Sequence, residues 1–256
     1  MIDLHNHTIL CNHAQGSIDE YIQKAIQKGI KIYGFSDHAP MNYDPKYRMS
    51  FDEMDIYEKW IDNIKLKYPK IKILKGYEVD FTPEVDKRVL NRDVDYFIGS
   101  IHFLDNWGFD NPEFLATWHQ RDVDDVYKEY FSLVEKMAES KMFDIVGHLD
   151  LIKVFNFRPK EDIKILAKNA IEAIADNKLV VEINTAGIRK KVNEIYPSIT
   201  LLEMIKNKNI NITFGSDAHN PSQVGFYLSQ AYDIAKKIGF KKAIYFENRE
   251  KKFIDL

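Results

Sequence analysis

Seven of the eight histidines stand at the ends of short apolar runs, most beside a carboxylate or another histidine. In chain order they fall in DLHNHT (Asp3, His5, His7), CNH (His13), FSDH (Asp37, His38), GSIH (His102), GHLD (His148, Asp150) and GSDAH (Asp217, His219). Glu78, in GYEVD, follows another apolar run. Imidazole is the commonest protein metal ligand, and carboxylates suit hard or borderline cations. Such residues at one strand end after another point to a multi-metal catalytic centre.

His5 and His7 are two residues apart, so an extended backbone points both rings to one side, where they can share a metal. Alone, H-x-H is a weak signal. The register coincidence strengthens it, because Asp37-His38, Glu78, His102, His148 and Asp217-x-His219 also fall just beyond predicted strands. In a parallel barrel those ends form one surface, where active sites are built. Converging neutral imidazoles would leave ring nitrogens unpaired, and metal coordination satisfies them directly. His119 lies inside a long loop and reads as a non-ligand. Cys11, between His7 and His13, reads as a small packed residue near the site rather than a thiolate ligand.

The elements that must position these side chains follow from periodicity. Short runs rich in β-branched and aromatic residues predict strands at Ile2–Leu4, Ile30–Phe35, Ile71–Gly76, Tyr96–Ile101, Asp144–Gly147, Leu179–Ile183 and Asn211–Phe214, with Ala243–Phe246 as an eighth candidate. Their continuous apolar character suits strands covered on both faces. Capping boxes at Ser17–Glu20 and Ser50–Glu53 open helices to Lys28 and about Lys67. Further helices are expected over Thr82-Pro83 to Leu90, Asp122–Glu139, Pro159–Asp176, Ser198–Lys206 and Ser222–Ile238, the last stopped by Gly239. Alternating strands and helices demand parallel pairing with right-handed crossovers. About seven units in 256 residues, without repeats or low-complexity linkers, suggest one α/β domain, a (β/α) barrel over residues 1–256. The loops Ala39–Met49 and Phe103–Arg121 are long enough to be functional. The second carries Phe103, Trp107, Phe109, Phe114 and Trp118, as a lid, a specificity wall or a surface loop with its own apolar cluster.

Composition narrows the partners. The formal net charge is -3, which gives no electrostatic footprint for duplex nucleic acid or an anionic membrane. A phosphorylated substrate stays open, because bound cations dominate the local field. With 1 cysteine no intrachain disulfide forms, and a reducing, cytoplasmic setting is expected. From the start MIDLHNHT, neither a signal peptide nor a membrane span is expected. Oligomeric state is not legible.

The motifs DLHNHT, FSDH, GSIH with GHLD, and GSDAH, in that order, resemble those of the PHP (polymerase and histidinol phosphatase) superfamily over nearly the full chain. Arg158 in VFNFRP and the stretch NTAGIRKKVNEIYPS, residues 184 to 198, look most like its monofunctional histidinol-phosphate phosphatases. The resemblance implies a distorted seven-stranded (β/α) TIM-like barrel with two to three divalent transition-metal ions (zinc, iron or manganese) in a C-terminal cleft. It implies one metal on His5, His7, Glu78 and Asp217, a second sharing Glu78 and adding His102 and His148, and a third on His13, His38 and His219. Asp3 would orient a ligand histidine or pack the strand start, Asp37 similarly, while Asp80 and Asp150 would be structural. Arg158 and Arg189 look like the phosphate clamp, with Arg48 within reach of the substrate and Lys190 and Lys191 solvated. The implied reaction is hydrolysis of L-histidinol phosphate by metal-activated water, with Asp217 or His38 assisting the leaving group. A phosphotyrosine or nucleotide phosphatase is the nearest alternative. A metal-dependent amidohydrolase and a non-catalytic metal-binding barrel are more distant ones.

Overall fold

Apolar β-branched segments hidden on both faces pair in parallel, and in this protein they curl into a barrel. Residues 1–82 and 84–256 are described by a computed structural model. The strands are β1 (Ile2–Asp3), β2 (Ile32–His38), β3 (Lys72–Asp80), β4 (Tyr96–Ser100), β5 (Phe103–Leu104), β6 (Trp107–Gly108), β7 (Ile145–Val146), β8 (Val180–Asn184), β9 (Asn211–Gly215), β10 (Lys242–Glu247) and β11 (Glu250–Asp255). Seven of them form one sheet in the order β1-β2-β3-β4-β7-β8-β9, and every pairing in it is parallel. The ends of this sheet meet beyond β1 and β9. Leu4 N donates to Phe214 O at 2.8 Å, Asp217 N to His5 O at 2.7 Å and His7 N to Ala218 O at 3.0 Å. The expected (β/α) barrel is therefore present, nearly closed, with seven parallel strands among the described residues.

The barrel interior is filled by side chains. Tyr96 is fully buried, and its hydroxyl donates to Leu4 O at 2.6 Å. It crosses the lumen only because Gly34 and Gly76 lack side chains: a Cβ would stand 2.0 Å and 2.6 Å, respectively, from Tyr96 atoms. Outside, Ile18–Gln27 starts as expected, with Glu20 N donating to Ser17 Oγ at 3.3 Å and Ser17 N to Glu20 Oε2 at 2.7 Å. The 17-residue helix Val123–Glu139 is capped by Asp122 and buries Val126, Tyr130, Val134 and Met137.

Several elements differ from their sequence-based limits. The single helix expected from Pro159 to Asp176 is two, Ile163–Leu166 and Lys168–Asp176, and it starts at the Asp162 cap. The helix expected from Thr82-Pro83 appears as Lys87–Leu90, and Pro83 lies outside the described residues. The eighth candidate strand, β10, is not a barrel stave. It pairs antiparallel with β11, and this hairpin meets the N-terminal ends of the staves. Arg249 N donates to Asp95 O at 2.9 Å, Arg249 pairs with Asp144, and Glu247 with Lys72. The hairpin's own Ala243, Ile244 and Phe246 are buried. The opposite, C-terminal mouth is left open.

Candidate metal centre and active site

Apart from His13, which follows the 3-10 turn Ile9–Cys11, the cluster histidines stand at or just beyond the ends of staves. His38 is the last residue of β2, in register with Glu78 on β3. His102 and His148 follow β4 and β7 by two residues, and Asp217 and His219 follow β9. His5 and His7 follow β1, their ring centroids 5.2 Å apart. The expected convergence is present: His7 lies 4.4 Å from His38 and 3.9 Å from His219, and His102 lies 5.0 Å from His148.

Glu78, 1% exposed, is the hub. Its Oε2 lies 3.2 Å from His5 Nε2, 3.0 Å from His38 Nδ1 and 3.6 Å from His7 Nε2. Its Oε1 lies 2.9 Å from His148 Nε2 and 3.5 Å from His102 Nε2, and accepts from Ser100 Oγ at 2.7 Å. Each carboxylate oxygen thus faces its own set of imidazoles, as a bridge between cations requires. Burial alone would raise its pKa, but His5, His38 and His102 hold Glu78 well below the usual carboxylate range.

Behind the imidazoles stand carboxylates that fix ring orientation. His5 Nδ1 is 2.8 Å from Glu182 Oε1, His7 Nδ1 3.3 Å from Asp37 Oδ1, and His102 Nδ1 2.8 Å from Asp80 Oδ1. A carboxylate on one ring nitrogen leaves the other as a lone-pair donor, the arrangement common around protein-bound metals. Among the described residues, Nε2 of His5, His7 and His219 and Nδ1 of His38 and His148 make no hydrogen bond although buried. Such orphaned imidazole nitrogens fit a cation and little else. Ligand atoms lie within 4.8 Å of one another in the groups His5–His7–Asp217, His5–Glu78–His148 and His7–His38–His219. The set expected as His13, His38 and His219 is divided here: His13 groups with His219 and Cys11. The Cys11 thiol reaches Thr8 O at 3.1 Å, and burial pushes its pKa up, so it packs as a neutral group. His119 is exposed against Phe157, apart from the cluster.

The sequence reading missed Glu182 and Asn184. Glu182 Oε2 accepts from His148 N at 2.9 Å and from Asn184 Nδ2 at 3.1 Å, and Asn184 Nδ2 also reaches Asp217 Oδ2 at 3.3 Å. Gly215 makes room for this carboxylate, since a Cβ there would stand 2.0 Å from Glu182 Oε1. The available signal was a charged residue inside the apolar run VVEIN. Asp80, expected to be structural, instead bridges His102 to Arg48 Nη1, the latter at 2.8 Å. Asp3 and Asp150 do brace backbone. Asp3 accepts from Ser216 N at 2.8 Å and Asp150 from Ser198 N at 3.0 Å. Asp217 holds its place in a left-handed conformation, φ 52°, sparsely populated for a non-glycine residue.

A cavity of about 730 Å³ opens over the cluster. His13, His38, Glu78, His102, His148, Asp217 and His219 line its floor, and Arg189, Lys190 and Tyr196 line one wall. Arg189 is held by Ser216 O and Asp217 O, both at 2.9 Å from Nη2, while Nη1 is buried without a partner. The other arginines differ from expectation. Arg48 lines the cavity, but its buried guanidinium is committed to Asp80, Asp44 and Ala39 O, as a desolvated cation requires. Arg158 is not brought to the cavity: it is 41% exposed and spends its donors on Glu194 and Asn156. The long loop 103–121 packs its own apolar cluster and also borders the cavity. Trp107, Phe109 and Trp118 form a small core, with Trp118 stacked on Phe157 at 4.8 Å, while Phe103 and Phe114 face the cavity.

A nearly closed parallel barrel carrying an imidazole–carboxylate cluster at its C-terminal mouth defines a class of hydrolases with metal-binding barrel sites. The chain belongs to the PHP domain family, whose pattern matches residues 3–186. A probable histidinol-phosphatase of Deinococcus radiodurans is 39% identical over 246 residues, 93% of this chain and 94% of that protein. The histidinol-phosphatase of Bacillus subtilis is 29% identical over 259 residues, 88% of this chain and 95% of its own. The structure of histidinol phosphate phosphatase from Lactococcus lactis, solved with zinc, L-histidinol and phosphate, superposes with a TM-score of 0.84. It covers 98% of each chain at 20% identity, a likeness of fold.

Proposed function

We propose that the protein is a metal-dependent phosphomonoesterase that hydrolyses L-histidinol phosphate to L-histidinol and phosphate, a step of histidine biosynthesis, with residues 1–256 acting as one unit. The observation that carries the reading is the juxtaposition of a cation site around Glu78 with an unpartnered guanidinium nitrogen of Arg189 in one cavity. That pairing suits a dianionic phosphoryl group, which needs cations on one side and a fixed donor on the other. The relatives named histidinol-phosphatase support the choice of alcohol.

We assign two to three divalent ions (zinc, iron or manganese) to His5, His7, Glu78 and Asp217, to Glu78, His102 and His148, and to His38, His219 and either His7 or His13. Bound there, such ions supply Lewis acidity and activate water at neutral pH. The protein's own residues do the rest. Glu182, Asp37 and Asp80 hold the rings of His5, His7 and His102, and Asn184 steadies Asp217. Arg189 binds a phosphoryl oxygen and offsets charge as the ester bond breaks. His38 and Asp217, both lining the cavity floor, are assigned to assist departure of the leaving oxygen. Arg158 acts at one remove, sharing Glu194 with the buried Lys153 beneath the loop that carries Arg189.

The reading is tested by phosphate release from a panel of L-histidinol phosphate, phosphotyrosine and nucleoside monophosphates. L-histidinol phosphate should lead in kcat/KM by about two orders of magnitude, as expected when a polar subsite selects its partner. A preference for phosphotyrosine or a nucleotide would contradict it.

A further inference from the structure

The cavity holds one carboxylate that the chemistry above leaves unused. Among the lining acids, Glu78 and Asp217 face imidazoles, Asp44 faces Arg48, and Glu113 accepts from Lys46 and Tyr47. Asp110 also lines the cavity, and among the described residues no hydrogen bond or ion pair reaches its side chain. A carboxylate partly withdrawn from water without a partner is costly, and in a binding site it waits for a cation.

Asp110 is held in place. The neighbouring Phe109 is fully buried, its ring edge-on to Tyr130 at 5.5 Å, and Phe109 O accepts from Trp118 Nε1 at 2.8 Å. The β5–β6 hairpin begins the same segment. Across the mouth, Tyr43 Oη donates to Asn106 Oδ1 at 2.8 Å and Tyr47 Oη to Glu113 Oε1 at 3.1 Å, so two loops are clasped around the outer cavity. Tyr43, Phe103 and Phe114 supply aromatic surface there. Burial raises the Asp110 pKa despite the attraction of His102 and Lys190, so the surrounding cations do not compensate it in full.

We infer that Asp110 is a specificity-determining residue that binds a primary ammonium group on the alcohol portion of the substrate, while the rest of that portion lies against Phe103 and Phe114. The inference rests on the proposed phosphomonoesterase reading and adds to it the reason for choosing an amine-bearing ester. Phosphotyrosine within a peptide and nucleoside monophosphates bring no ammonium to this position.

The test uses the metal-loaded protein and Asp110→Asn, a nearly isosteric change. Calorimetric binding of L-histidinol reads the subsite without turnover, and the variant should bind it roughly 10- to 100-fold more weakly, the range for a hydrogen bond to a charged group. The ratio of kcat/KM for L-histidinol phosphate to that for p-nitrophenyl phosphate should fall by a similar factor, mostly through KM. An unchanged L-histidinol affinity, or an unchanged ratio, overturns the inference. O-phosphoethanolamine separates this from the choice of substrate. If the wild type ignores L-histidinol phosphate yet prefers O-phosphoethanolamine to p-nitrophenyl phosphate, and Asp110→Asn abolishes that preference, the substrate reading fails while Asp110 keeps its role. A wild type that favours p-nitrophenyl phosphate over both amines removes Asp110 from recognition.

Discussion

Histidine is conspicuous in a sequence because buried imidazoles need partners, and seven of them at strand ends announced a common centre before any coordinates. His5, His7, His38, His102, His148 and His219 do meet, around Glu78. What a linear reading does not show is which carboxylate stands behind which ring. Glu182 is separated from His5 by 177 positions and looked like one residue of an apolar strand. Only closure of the barrel, which leaves β9 alone between β8 and β1, brings it there. Arg158 and Arg189 illustrate the opposite error. Both are arginines in unusual motifs, yet nearby Glu194 draws one outward, while backbone carbonyls of Ser216 and Asp217 hold the other in the cavity. Glu182→Ala should weaken metal affinity about 10- to 100-fold through the loss of His5 orientation. Competition against a chromophoric chelator measures this, and wild-type affinity in the variant would remove Glu182 from the centre.

At the scale of elements, strands and capped helices were readable because their signals are local. The Ser17–Glu20 box and the Asp122 cap lie where the sequence puts them. Limits set by tertiary contact were not readable, such as the break between Leu166 and Lys168 and the pairing of β10 with β11. The loop 185–198 depends on a contact of this kind. Lys153, 2% exposed, donates to Asp150 Oδ2 at 2.9 Å, Glu194 Oε2 at 3.1 Å and Ile195 O at 2.8 Å. It ties the segment after β7 to the loop that carries Arg189 and Tyr196. Lys153→Met should cost about 3–5 kcal/mol of unfolding free energy, because Asp150 is left buried and uncompensated. Denaturant unfolding reads this directly, and a change below about 1 kcal/mol would show that the tie is not structural.

Across the whole molecule the two mouths of the barrel divide the work. The β10–β11 hairpin covers the N-terminal mouth, and among the described residues no helix is long and apolar enough to cross a membrane. The C-terminal mouth gathers charge whose balance depends on metal. Without ions, burial pushes His38 down to about 4. Against the same burial, the Asp217 and Asp37 carboxylates beside it draw His7 up to about 9, and Asp80 with Glu78 draws His102 up to about 10. His38 binds fewer protons folded than unfolded, so metal-free protein gains stability as pH rises from about 4 to about 6.5. His7 and His102 bind more protons folded, so that gain reverses as pH rises from about 6.5 toward about 10. Thermal unfolding of metal-free protein should peak near pH 6.5, and metal-loaded protein should not show the alkaline decline. A metal-free profile rising steadily to pH 9 would contradict this balance. The central claim, that these side chains form a metal centre which hydrolyses a phosphomonoester, is tested most directly by phosphate release from L-histidinol phosphate before chelation, after chelation and after return of zinc or manganese. Activity should vanish with the metal and return with it, in step with the equivalents bound by elemental analysis. Full turnover by protein stripped of metal would contradict the claim.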